Sequence, residues 1–226
     1  MSLRINLHAI ASAVLGILSL TMLVPASQAQ FKMTDNFNRT DGVPGLGWST
    51  WGNGAQISGN QLETFGDAYI AGGIVRTLDV TFPATFSYDF STATPSDGGW
   101  SITFNASGAN WLPTDAFELR VLQFSGSQPL CADYQTASGP MESCSKQKTG
   151  QRDYTAKAHI AGTINADFST TVTVTYNDGL TPASIVLKTS APAGAIQTPL
   201  GSVFYFGNAN DSYGPHYFDN FSLTLK

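Results

Sequence analysis

The chain has 226 residues, with 11 Lys+Arg against 16 Asp+Glu and a formal net charge of -5 at pH 7. This acidic balance excludes nucleic acid or an anionic membrane as the main partner and leaves a neutral or weakly polar ligand, because like charges repel at a surface. Charged residues make up only 12% of the chain, and no window holds a long apolar period of 3.6 residues with a cap, so no helix is expected in the body of the protein.

The chain opens with Arg4, the apolar run Ile10 to Val24, then Pro25 and the small-residue triplet Ser27-Gln28-Ala29. This is the layout of a secretory signal, with cleavage expected after Ala29. The run is short for a hydrocarbon layer of about 30 Å, and no later segment is apolar enough to span one. Residues 1–29 are therefore read as a signal peptide and 30–226 as one domain, placed outside the cell or in a periplasm.

From Gln30 onward, short runs with two-residue alternation are separated by Gly, Asn, Asp and Pro, the spacing of an all-β sandwich or barrel. Ile57 and Leu62 flank Gly59-Asn60, a hairpin signal. Strands are expected at Phe82 to Phe90, Trp100 to Asn105, Ala116 to Phe124, Tyr154 to Ile164, Thr170 to Tyr176, Ala183 to Thr189, Ser202 to Phe206 and Tyr217 to Leu225. Asn177-Asp178-Gly179 marks a tight turn between two of them, since Asp-Gly accepts positive φ. Cys131 and Cys144 lie in a segment rich in Ser, Gly, Gln and Pro. In an oxidising compartment they are expected to close this loop with a disulfide.

Three stretches carry a family resemblance. The first is Asp35-Asn36-Phe37-Asn38-Arg39-Thr40-Asp41-Gly42 with Leu46-Gly47-Trp48 and Ile57-Ser58-Gly59-Asn60-Gln61-Leu62. The second is Val172-Thr173-Val174-Thr175-Tyr176-Asn177-Asp178-Gly179. The third pairs Phe204-Tyr205-Phe206-Gly207-Asn208 with Tyr217-Phe218-Asp219-Asn220-Phe221-Ser222-Leu223. Together they resemble the concanavalin A-like lectin/glucanase superfamily, in particular the laminin-G-like jelly rolls of secreted bacterial proteins. The resemblance implies a two-sheet antiparallel jelly-roll sandwich whose first and last strands lie side by side, bringing Asp35 near Asp219. It also implies a structural calcium ion, for which Asp35, Asp219 and Asp211 offer hard oxygen ligands; the other reading of these residues is that they cap turns. The fold hosts lectins, hydrolases, lyases and adhesive modules, so it names no activity by itself.

The retaining glucanases of this superfamily place two carboxylates at alternate positions of one strand, facing one cleft. No Asp or Glu pair here is spaced i, i+2, and Asp115 and Glu118 are three apart. Glu118-Leu119-Arg120, His159 and Tyr205 resemble, in that order, the machinery of jelly-roll polysaccharide lyases. Ala116 departs from that pattern where an Arg would stand and Lys157 where a Gln would precede the His. A lyase using Arg120, His159 and Tyr205 is thus the second reading. No nucleophile elbow is present, and two His in 30–226 are too few for zinc.

Trp48, Trp51, Trp100 and Trp111 stand in or beside Gly-, Ser- and Asn-rich stretches. Sugar rings stack on flat aromatic faces while Asn side chains bond their hydroxyls. Trp100 and Trp111, which flank Asn105 and Asn110, are the candidate ligand-binding residues, whereas Trp48 is read as core. Four Asn-x-Ser/Thr sites begin at Asn38, Asn105, Asn210 and Asn220 and matter only in a glycosylating host. The leading reading is a secreted module that binds a polysaccharide or glycan surface without a catalytic motif; the third is a structural protein of an envelope or matrix.

Overall fold

The computed structural model describes residues 30–66, 71–93, 99–104, 117–121, 129–136, 139–195, 203–209 and 214–226. The expected signal peptide lies outside the described residues. Their regular structure is all strand: β1 (Phe31–Asp35), β2 (Ser49–Gly52), β3 (Ala55–Ser58), β4 (Gln61–Gly66), β5 (Gly72–Thr77), β6 (Ala84–Thr92), β7 (Trp100–Phe104), β8 (Phe117–Val121), β9 (Pro129–Thr136), β10 (Gly139–Lys148), β11 (Ala158–Ile164), β12 (Thr170–Thr175), β13 (Ser184–Thr189), β14 (Val203–Asn208) and β15 (Gly214–Leu225).

Two antiparallel sheets result. One runs β13-β12-β11-β6-β15-β4-β3, with β1 also pairing β15, and the other runs β10-β9-β8-β7-β14-β5-β2. The alternation in the sequence explains the first sheet directly. In β13, Ile185, Leu187 and Thr189 are buried while Ser184, Val186 and Lys188 face out. Apolar side chains of both sheets meet in a core rich in aromatic rings. Phe206 of β14 packs 4.6 Å from Phe221 and 4.8 Å from Phe218 of β15, and 5.0 Å from Tyr88 of β6, centroid to centroid. Each such pair contributes about 0.5–1.5 kcal/mol beyond the area it buries. Trp48 belongs to this core, 6.0 Å from the Phe221 ring.

The first and last strands pair as expected, with Asp35 opposite Phe221. Pairing of β15 with β6 slips between Asp219 and Ser222. That bulge, with Asn220 at φ 51, resets the alternation: His216 and Phe218 point inward before it, and Phe221, Leu223 and Leu225 after it. At the centre of the same sheet, Gly162 pairs with Phe86. A Cβ on Gly162 would lie 2.3 Å from the Phe86 ring, so the glycine is the space the ring fills.

Three local expectations change. The segment around the cysteines is a hairpin, β9–β10, in which Cys131 and Cys144 are directly opposite and joined by a disulfide; cross-strand pairing overrides the weak strand propensity of its Ser, Gly and Gln. The link between β12 and β13 is longer than a two-residue turn: Tyr176 N donates to the Ala183 carbonyl across its mouth, and within it Asp178 pairs with Arg152 at 3.1 Å. Residues 154–157 precede β11 instead of belonging to it. Gly59-Asn60 does turn between β3 and β4, both at positive φ.

Candidate functional site

In the seven-stranded sheet, the residues that alternate with the core face the opposite way and align in two cross-strand rows. One row runs Ser49, Val75, Tyr205, Thr103, Glu118, Asp133, Glu142. The other runs Trp51, Gly73, Gly207, Ser101, Arg120, Cys131, Cys144. Although this face points away from the core, Ser101, Thr103, Glu118 and Tyr205 are all buried.

At one end the rows are aromatic. Gly73 and Gly207 stand side by side, and an added Cβ on either would strike the Tyr205 side chain within 2.8 Å. The ring of Tyr205 thus lies down over a glycine floor, with its hydroxyl donating 2.8 Å to the Asn208 carbonyl. The half-buried Trp51 ring meets it edge-on at 5.1 Å. Burial, then the nearby Glu118, pushes the Tyr205 phenol well above its ordinary value, so it stays a neutral donor.

At the centre the rows are charged. Glu118 Oε1 accepts a 2.9 Å hydrogen bond from Ser101 Oγ. Arg120 Nη1 lies 3.1 Å from Asp133 Oδ2 and 3.8 Å from Glu118 Oε2, and its Nη2 bonds Glu142. Burial pushes the Glu118 carboxyl up to about 7, Arg120 opposes this and Asp133 reinforces it. Asp133 is raised too, mainly by burial. Near neutral pH Glu118 is therefore divided between its protonated and ionised forms beside the Arg120 guanidinium. That set can both donate to and accept from a neutral hydroxyl-bearing ligand.

Of the residues singled out from the sequence, Arg120 and Tyr205 come together here and Glu118 joins them. His159 does not. It sits on β11, on the outward face of the other sheet, bonded through Nδ1 to Asp89 at 2.7 Å. With Arg120 already shared among three carboxylates, the lyase arrangement is not assembled, because spacing along a sequence does not reveal which sheet a strand joins. Trp100 is also corrected: it is 1% exposed and packs against Tyr88 at 5.6 Å, since its register sets it inward with Ile102 and Phe104. Trp111, Asn105 and Asn110 lie outside the described residues, as does Asp211. Trp51, which was not selected among the tryptophans, occupies the site; its signal was the Gly52-Asn53-Gly54 turn beside it.

Of the carboxylates proposed for calcium, Asp35 and Asp219 are described, and each is taken up by other partners. Asp35 is buried and saturated: it accepts from Phe37 N at 2.8 Å, from Arg39 at 2.7 and 3.0 Å, and from Trp48 Nε1 at 2.9 Å. Asp219 lies on the outward face and pairs with Lys157 at 3.0 Å. Among the described residues, the one group of three potential ligands drawn together is Cys131, Glu142 and Cys144, and the disulfide occupies both sulfurs. Asp35 and Asp219, engaged in this way, do not fit a calcium ion.

The same architecture recurs in solved structures. Lectin II from Ulex europaeus superposes with a TM-score of 0.59 at 12% identity, over 87% of this chain and 99% of its own. Lectin I from Ulex europaeus, in complex with the methyl glycoside of α-L-fucose, gives 0.56 at 12%, over 87% and 98%. The legume lectin-like domain from Entamoeba histolytica gives 0.54 at 7%, over 80% and 90%. This is the concanavalin A-like lectin fold. No protein-family model matches the sequence, and no curated protein matches it. Within the lectin fold, the rows described above lie on the seven-stranded sheet. Among the described residues, no helix is long and apolar enough to cross a membrane.

Proposed function

We propose that the protein is a secreted carbohydrate-binding module, and that the outward face of its seven-stranded sheet takes a neutral glycan. The observation that carries this reading is the joining, on one face, of the Trp51–Tyr205 aromatic pair with the Ser101–Glu118–Arg120–Asp133 cluster. The aromatic end suits the C–H face of a sugar ring, and the polar centre suits its hydroxyls. The lectin fold supports the reading, as does the fucoside held by one of its neighbours. The signal-like segment through Ala29 supports export.

A glycan array probed with the mature domain, with and without chelator, tests the function. Binding to neutral glycans is expected, unchanged by chelator, and Trp51→Ala is expected to weaken it roughly tenfold. Absence of any bound glycan in both conditions would sink the proposal. N-terminal sequencing of material exported by a bacterial host should begin at Gln30.

A further inference from the structure

The edge strands of the two sheets meet where β10 packs against β13. Beside that seam opens a cavity of about 650 Å³, lined among others by Ser143, Lys146, Gln147, Lys188, Thr189 and Ser190. Its volume falls within the range of small-ligand sites, about 300–1,000 Å³. Nothing in the glycan-binding reading uses it.

Charge sets the cavity apart. Several described cations elsewhere are taken up: Arg39 by Asp35, Arg120 by Asp133 and Glu142, Arg152 by Asp178, and Lys157 by Asp219. Arg76 donates to the Leu46 carbonyl and lies over the Trp48 ring. Lys146 and Lys188, like the exposed Lys32, Lys148 and Lys226, have no ion-pair partner among the described residues, but these two line one cavity and no carboxylate lines it with them. In a chain of net charge -5, two unpaired ammonium groups sharing a hollow with hydroxyl and amide donors make a local basic site. Lysine on an edge strand also blocks edge-to-edge pairing, but that role does not require two of them, from different sheets, around one cavity.

The surroundings favour a polymer over a free ion. Lys188 heads a cross-strand row of hydroxyls on the outward face of the eight-stranded sheet: Thr171, Thr163, Thr85, Thr224. With strands about 4.8 Å apart, the row extends roughly 19 Å from Lys188, long enough to follow several sugar units. We propose that the seam cavity binds the carboxylate or sulfate group of an anionic polysaccharide, through Lys146 and Lys188, with the chain lying along the threonine row. This is a second site on another face, and it takes an anion where the one around Glu118 takes a neutral glycan.

Titration calorimetry of the mature chain tests it with sulfated dextran oligosaccharide, oligogalacturonate, unsulfated dextran and sodium sulfate, at low and high salt. Binding of an anionic oligosaccharide, weakened by salt, is expected, and the double variant Lys146→Ala/Lys188→Ala should lose at least tenfold in affinity. The charge-matched variant Lys148→Ala/Lys226→Ala should lose less than twofold. Equal losses in the two variants would mean diffuse attraction and overturn the site, as would no anionic binding at all. Sodium sulfate binding as tightly as the oligosaccharides would overturn the polymer assignment. Circular dichroism of each variant separates misfolding from loss of the site. A neutral glycan held through Trp51 should be untouched by these changes, so the two readings fail separately.

Discussion

The outward faces of the two sheets follow opposite rules. On the eight-stranded sheet, inside and outside alternate along β6, β12 and β13, and the outer positions are mostly polar and open to solvent, as is His159 of β11, half exposed beside Asp89. On the seven-stranded sheet, β7 is buried at every position, β8 at all but Arg120 and β14 at all but Val203. Its outer face therefore holds polar groups away from water, and a polar group held this way must find partners or shift its protonation. Glu118 does both. The difference teaches where to look for chemistry in a sandwich: on the sheet whose central strands are buried on both faces, at the residues that are nonetheless polar.

Substitutions can break or sharpen this contrast. The largest effect should come from Asp35→Ala, on the eight-stranded side, where an inward charge is tolerated only because four donors saturate it. Stranding Arg39 and Trp48 Nε1 should cost about 3–5 kcal/mol in denaturant unfolding; a loss under 1 kcal/mol would show that this network is not a structural hub.

Next is the pH dependence of Glu118. Its folded value, about 7, lies above its ordinary 4.5, so the native state binds a proton that the unfolded chain releases between those values. Its contribution favours the fold fully below pH 4.5 and is withdrawn as pH rises to about 7, a change on the order of 3 kcal/mol. Glu118→Gln should flatten that slope in melting curves taken from pH 4.5 to 8. An unchanged slope would place the titrating group elsewhere.

A smaller effect is expected for Gly162→Ala. The added methyl must displace the Phe86 ring, an overpacking cost of about 1–3 kcal/mol readable by denaturant titration, and a neutral result would mean the ring swings aside freely. The smallest is His159→Ala, on the exposed face. Loss of its pair with Asp89 should change stability by less than about 0.5 kcal/mol and leave glycan binding unaltered; a loss of binding would return His159 to the site.

The same contrast explains what could be read without coordinates. β12, β13 and β15 alternate visibly, so their existence and the sandwich class follow from residue type alone. The adjacency of first and last strands came from a family resemblance, not from periodicity. β9 and β10 escaped notice because their Ser, Gly, Gln and Lys carry no strand signal; their pairing rests on register and on the Cys131–Cys144 bond. Arg120 and Tyr205 were named, yet with the wrong third partner, since His159 lies in the other sheet. Trp100 was misjudged for a related reason: its polar neighbours in sequence are not its neighbours in space, which are Tyr88 and the core. The raised Glu118 arises only once the fold buries it, with Asp133 on the neighbouring strand adding to the effect.

The bulge at Asp219 and Asn220 acts as a frame marker for the end of the chain. The five residues from Phe221 to Leu225 pair both with β1 and, through Ser222 to Leu225, with β6. Their inward or outward sense is set by one surplus residue. Deleting Asn220 would remove the surplus and leave Phe218, Phe221, Leu223 and Leu225 in plain inward alternation, whereas deleting Ser222 would turn Leu223 and Leu225 outward. A single-residue deletion beyond the bulge should thus be far less tolerable than deletion of Asn220 itself.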